Sequence, residues 1–385
     1  MSKELINVGY DPGRHTTKIY MDGDKEYINL NVISNGYDRR ELEEEAADEK
    51  NLLDVDVERA GQRLGRYFVG GMAYKYHDGD LRWSTRAIPK FSDIDVVPDD
   101  IIKMVTHIAY NHHVKGQKVT LRIRLGTGVP TEDYFECPEV LDHFRNIIKD
   151  PYTVRFLHPI FQDAEVTVNF AQAYFKPEGT ATLISNGYDN TLKVRDHVKA
   201  NNENGTFALG LNIGSTSSDA AIMKSNMKFE SKGFFGLPIG TTDAFKKIRM
   251  ELRKNYGYEI NNFKLAYLLQ NYKTIQYRQK VIDLEQIKKG PFESLLASLK
   301  TQYLDTCEEK GIDIGEAGYI CIAGGGVLDL SEEKLENFIP GIPTIVDPNP
   351  LMADARGYWI ECKFAELQEI KAKKEVFASK EEGEG

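Results

Sequence analysis

The sequence predicts an α/β protein assembled from two halves that open in the same way. Three observations carry that reading. Residues 5–10 and 205–213 read as short buried strands, and each runs into a glycine-containing turn followed by two more strands. A third glycine cluster, Gly324-Gly325-Gly326, follows the apolar run 319–323. Longer helical patterns separate these strands, as a layered α/β chain requires.

In the first half, the turn Asp11-Pro12-Gly13-Arg14-His15-Thr16 leads into strands at 17–21 and 25–33. The stretch 38–58 carries ten carboxylates against three basic residues and reads as an acidic insertion on the surface. Residues 66–73 read as a strand, 99–113 as a helix, and 118–125 as a strand ending in Gly126-Thr127-Gly128-Val129-Pro130. Residues 140–149 read as helical, 154–156 and 165–169 as strands, and 172–184 as a helix broken at Pro177. In the second half, strand 205–213 reaches the turn Gly214-Ser215-Thr216-Ser217-Ser218, and strands follow at 219–223 and 228–234. Helices are expected at 241–256, 262–270 and 292–310, then the strand 319–323 and a final helix at 350–371. The polar tail 373–385 is expected to be disordered. The hexapeptide Ile-Ser-Asn-Gly-Tyr-Asp occurs at 33–38 and again at 184–189. It reads as recurring turn chemistry around Asn-Gly, not as a repeat unit.

A chain of 385 residues suits two or three domains. With 41% hydrophobic and 10% aromatic residues it is neither a disordered chain, a fibre repeat nor a disulfide miniprotein. A formal net charge of -10 argues against gripping nucleic acid phosphates over the whole surface. The four cysteines form no CxxC pair and read as buried free thiols. No run reaches the length of a membrane span, and the first residues hold no long apolar run. A cytoplasmic protein without membrane contact is therefore expected. His107, His112 and His113 lack a Cys or acidic partner at fixed spacing and read as a solvated helix end, not a metal site.

Two tight hairpins with glycine tips can hold phosphates from opposite sides, because successive backbone N–H groups form anion-binding nests and small residues permit close approach. At the first tip Asp11 precedes Gly13, with Arg14, His15, Thr16, Thr17 and Lys18 after it. At the second, Asn212 precedes Gly214, Ser215, Thr216 and Ser217. Gly324, Gly325, Gly326 and Val327 follow a strand, where a base or ribose can lie against bare backbone.

In this order the motifs resemble those of the actin, sugar-kinase and heat-shock ATPase superfamily. The first hairpin resembles the phosphate-1 motif, residues 211–219 phosphate-2, 319–327 the adenosine motif, and 349–358 the second connecting helix. Within it the chain most resembles the bacterial ParM/StbA plasmid-segregation actins. The details are Gly126-Thr127-Gly128-Val129-Pro130, Pro177-Glu178-Gly179 and Gly236-Leu237-Pro238-Ile239-Gly240. The resemblance implies an actin-like fold, two RNase-H-like domains flanking a nucleotide cleft. Domain I would span 1–175 with the acidic insertion, domain II 176–345, and the helix 346–372 would pack back on domain I.

It further implies that the cleft binds ATP, with GTP left open, and Mg²⁺. Asp11 would orient the ion through water, Lys18 would contact phosphate, and Thr16 and Thr17 would donate nearby. Gly214, Ser215, Thr216 and Ser217 would hold the β- and γ-phosphates. Gly240 and residues Gly324 to Val327 would border the nucleoside, with Lys246 or Lys247 reaching it. Glu178 would position the attacking water. Glu178 also suits a plain first-turn helix acid. The family pattern has Asp where this chain has Asn212, which removes a charge but keeps an acceptor. On that ground Asn212→Asp is expected to preserve or raise turnover.

Residues 246–280 carry nine basic and two acidic residues, opposite in sign to 38–58. They read as two solvated faces, or as patches that meet between successive subunits of a homopolymer filament or receive an acidic partner segment. The resemblance implies filaments that segregate plasmid DNA through a DNA-binding adaptor of the ParR type, with centromere DNA contacted only indirectly. A non-polymerising kinase of the superfamily, or a scaffold filament with little turnover, are the alternatives.

Overall fold

Two β-sheets repeat one strand order at their centres: an antiparallel three-strand meander whose first strand pairs in parallel with a later one. The structure, a computed structural model, describes residues 5–39, 48–84, 97–330 and 332–383. Residues 40–47 of the acidic stretch lie outside the described residues, as do the last two of the tail.

In the first lobe the meander is β1 (Leu5–Pro12), β2 (Thr16–Met21) and β3 (Lys25–Leu30). It is followed by β4 (Val32–Asn35), β5 (Leu53–Arg59), β6 (Gln62–Val69), α1 (Gly71–Tyr76), β7 (Arg82–Trp83) and α2 (Asp99–His112). Then come β8 (Lys118–Val129), α3 (Thr131–Glu136), α4 (Pro138–Ile148), β9 (Tyr152–Phe156) and β10 (Glu165–Pro177). The sheet order is β3-β2-β1-β8-β10-β9-β5-β6-β4-β7, with β1, β8 and β10 parallel.

The chain crosses to the second lobe through α5 (Thr180–Gly187), then α6 (Asp196–Glu203). The second meander is β11 (Phe207–Ile213), β12 (Ser218–Met223) and β13 (Phe235–Leu237). Helices α7 (Thr241–Tyr256), α8 (Asn262–Asn271) and α9 (Leu284–Glu309) pack beside it, with the small hairpin β14 (Thr274–Tyr277) and β15 (Lys280–Asp283) between the last two. β16 (Ala317–Ala323), α10 (Glu332–Glu336) and β17 (Thr344–Val346) complete the sheet order β13-β12-β11-β16-β17. Finally α11 (Ala353–Gly383) packs on β1, β2 and β8 of the first lobe. Each lobe has its own apolar core.

Several expectations are corrected. Residues 172–177 are strand, not helix: β10 runs on to Pro177, and the helix starts at Thr180. A bulge between Phe170 and Gln172 shifts the side-chain parity, so burial passes from Val166 and Val168 to Phe175 and Pro177 and the alternation breaks in sequence. The acidic stretch is not wholly a surface insertion. Its second part is β5, paired with β6 and β9, where Val55 and Val57 are core and buried Asp54 and Asp56 pair with Arg66 and Arg63. The segment 228–234 is mostly turn, and the third strand of the meander is β13. The last helix continues past residue 371 to Gly383.

All four cysteines are free, with Cys307, Cys321 and Cys362 buried. Among the described residues no helix is long and apolar enough to cross a membrane.

Candidate functional site

The two hairpin tips and the third glycine cluster converge on one cavity of about 270 Å³ between the lobes. Antiparallel pairing sets Asp11 opposite Lys18, and the Lys18 ammonium lies 2.7 Å from the Asp11 carboxylate. From the first lobe Asp11, Gly13, Arg14, His15, Thr16 and Lys18 reach the cavity. Period-two alternation along β2 sends Thr17 to the other face, where it is fully buried; it does not line the site.

Glu178 sits between the end of β10 and α5. Its N–H donates to Val129 O (3.0 Å), and Gly179, at φ +86°, turns the chain into the helix. The helix begins two residues later, so Glu178 is outside the first turn, and its side chain joins the cavity wall.

In the second lobe Asn212, Gly214 and Ser215 line the cavity, as does Asp219, the register partner of Asn212 across the hairpin. Thr216 and Ser217 lie further out on the tip, away from the wall. Gly240 is also off the wall. It buttresses the tip instead, because a Cβ there would meet the Ser215 backbone at 2.6 Å. The first amides of α7 then donate back: Thr241 N to Gly214 O (3.2 Å) and Thr242 N to Ser215 O (2.8 Å). Gly324, Gly325 and Gly326 border the cavity, while Val327 is buried in the core behind them. Gly324 holds φ +97°, and a Cβ would strike the Ile213 carbonyl, so only glycine fits. Neither lysine left open reaches the cavity: Lys246 pairs with Asp243 and Lys247 bonds Ser294.

The structure adds residues that sequence reading missed. Phe245, Phe263, Tyr267, Leu328 and Leu351 make an apolar wall beyond the glycine cluster, suited to a planar base. Their helices gave no motif to find. Asp354, in the first turn of α11, also faces the cavity, accepting from Asn212 Nδ2 and from Thr182 Oγ1 (3.0 Å). It lies inside the connecting-helix segment, where an acid entering a helix beside the cleft was the available signal. Burial, reinforced by the nearby Asp11 and Glu178 carboxylates, pushes the Asp354 carboxyl up to about 7, against the pull of Lys18 and the Thr182 bond. His15 is held below its ordinary value by burial and by Arg14 and Lys18.

Among the described residues no three His, Cys, Asp or Glu side chains stand close enough to ligate a metal directly. The crowded carboxylates of Asp11, Glu178 and Asp354 nevertheless fit an ion held through its waters, which would relieve their mutual repulsion.

Two lobes of this strand order, with hairpin tips facing across a cleft and α5 and α11 passing between them, define an actin-like fold. Solved structures agree. The chain is similar to ParM of Clostridium botulinum in a 15-stranded filament, with a TM-score of 0.70 at 18% identity over 94% of this chain and 99% of that one. It is similar to Bacillus thuringiensis ParM with AMPPNP, at 0.68 and 14% identity over 94% and 100% of the two chains. An archaeal actin homologue in complex with ADP gives 0.66 and 16% identity over 93% and 99%. No protein-family model matches the chain, and no curated protein matches its sequence.

Proposed function

We propose that the protein is an actin-like ATPase whose nucleotide-dependent filaments segregate plasmid DNA. The observation that carries this is the convergence of two glycine tips, Lys18 and the carboxylates of Asp11, Glu178, Asp219 and Asp354 on one interlobe cavity with an apolar far end. The tips would bind the phosphates through backbone N–H groups, and the apolar end would take the base. Lys18 would contact phosphate and hold Asp11 in place. Mg²⁺, when bound, would neutralise phosphate charge. Asp11 would orient its hydration shell, and Glu178 would position the attacking water or accept its proton. A ParM filament and an AMPPNP-bound ParM among the similar structures support this reading.

Assembly would be head to tail, through a contact that does not close. The basic segment of the second lobe supports it: Met250 and Val281 are 71% and 69% exposed there, beside Arg253, Lys254, Arg278 and Lys280. The excess acidity leaves DNA contact to an adaptor of the ParR type.

Pelleting, light scattering and electron microscopy with ATP, GTP and a non-hydrolysable analogue test the proposal. Filaments with phosphate release are expected, more extensive at low salt. Phosphoryl transfer to a metabolite without assembly would indicate a kinase, and filaments without turnover would indicate a scaffold.

A further inference from the structure

Resting on the nucleotide-site reading above, we propose that Asn212 and Asp354 form one exchanged unit. The carboxylate that position 212 of the second hairpin lacks is supplied by Asp354, and Asn212 sets it in place.

The argument starts from donors and acceptors. The Asn212 amide presents Nδ2 to Asp354 Oδ2, and a carboxylate there accepts. That turns Oδ1 toward Gly324, where a Cβ would lie 2.7 Å from it. Asn212 Nδ2 is thereby engaged, with Thr182 Oγ1 also 3.4 Å from it, and its uncharged amide is a weaker partner for a hydrated ion than a carboxylate. Asp354 is differently placed. Each of its oxygens takes one hydrogen bond, from Asn212 or from Thr182, and keeps acceptor capacity. It shares the cavity wall with Asp11, Glu178 and Lys18 and feels the charge of all three. Among the described residues no ion pair occupies it.

The same geometry reverses the expectation for Asn212→Asp. That change alone would set two carboxylates face to face where an amide now donates, and would lower Mg²⁺-dependent binding. The charge belongs at one of the two positions, not both.

The test is calorimetric titration of ATP with and without Mg²⁺, alongside turnover, for D354N, N212D and the double exchange N212D/D354N. Melting of each apo variant checks folding. In D354N the gain in ATP affinity from Mg²⁺ should fall about tenfold, the difference between a charge-assisted and a neutral hydrogen bond. The double exchange keeps an amide facing a carboxylate and should recover to within about threefold of the wild type by the same measure. A D354N protein with an undiminished Mg²⁺ effect overturns the inference, as does a folded double exchange no better than D354N. Should D354N not fold, the double exchange decides alone. Failure of the wild type to bind any nucleotide would instead sink the site reading beneath it.

Discussion

Tyr74 of the first lobe and Phe263 of the second meet across the mouth of the cleft, their ring centroids 5.2 Å apart, with Trp83 contacting both. Edge and tilted aromatic contacts of this kind contribute about 0.5–1.5 kcal/mol each beyond burial. Tyr74 does not line the interlobe cavity, so Tyr74→Ala removes the clasp and leaves the cavity walls intact. Release of a fluorescent ATP analogue, followed by stopped flow, should quicken about two- to tenfold. An unchanged rate would mean that the contact does not restrain opening.

Lys18 is only 8% exposed, and its partner Asp11 is nearly as enclosed. Removing one member of such a pair strands the other charge in a low-dielectric site. Lys18→Met should cost about 3 kcal/mol in urea unfolding of the apoprotein. Added Mg²⁺ should recover part of that loss by offsetting the unpaired Asp11 carboxylate, which a purely packing role for the lysine would not allow.

Arg66 holds Asp54 through two parallel bonds, Nε to Oδ1 at 2.8 Å and Nη2 to Oδ2 at 2.7 Å, and this raises the guanidinium above its ordinary value. Lysine cannot make that fork. Arg66→Lys should destabilise by about 1–2 kcal/mol, seen as a lower denaturation midpoint. A neutral result would place Asp54 in solvent, contrary to its position in β5.

His107 is fully buried against Tyr27, its Nδ1 3.0 Å from the phenolic oxygen. Burial, with Lys103 adding to it, pushes the imidazole down to about 3. The unfolded chain therefore binds a proton that the native state refuses between about pH 6.5 and 3, and stability falls as pH falls through that window. At pH 4.5 the loss is about 2–3 kcal/mol relative to pH 7. Urea unfolding at both values, wild type against His107→Gln, should show a smaller acid loss in the variant.

The paired hairpins and glycine clusters were legible because local rules govern them: a tight turn needs small residues, and a strand needs its apolar run. What depended on distant partners was not. Ile-Ser-Asn-Gly-Tyr-Asp makes the point within one chain. At 33–35 its first residues are strand β4, and at 184–187 the same residues end helix α5. Thr17 was placed by the motif resemblance where strand parity excludes it. Asp54 and Asp56 read as surface acids because Arg66 and Arg63 meet them only through the sheet. Asp354 needed the fold to bring α11 beside β11.

Helices α5 and α11 cross so closely that a Cβ on Gly357 would collide with the Ala181 carbonyl. Thr182 is the neighbour of one contact residue, and Asp354 lies one turn before the other. The glycine-tip end of the cavity thus sits beside this crossing, while the β14–β15 hairpin lies apart from the cavity wall. On the proposed function, a tilt of a few degrees provoked at a bound γ-phosphate would become ångströms of travel at the outer surface, enough for a small chemical event to make or break a fit between subunits.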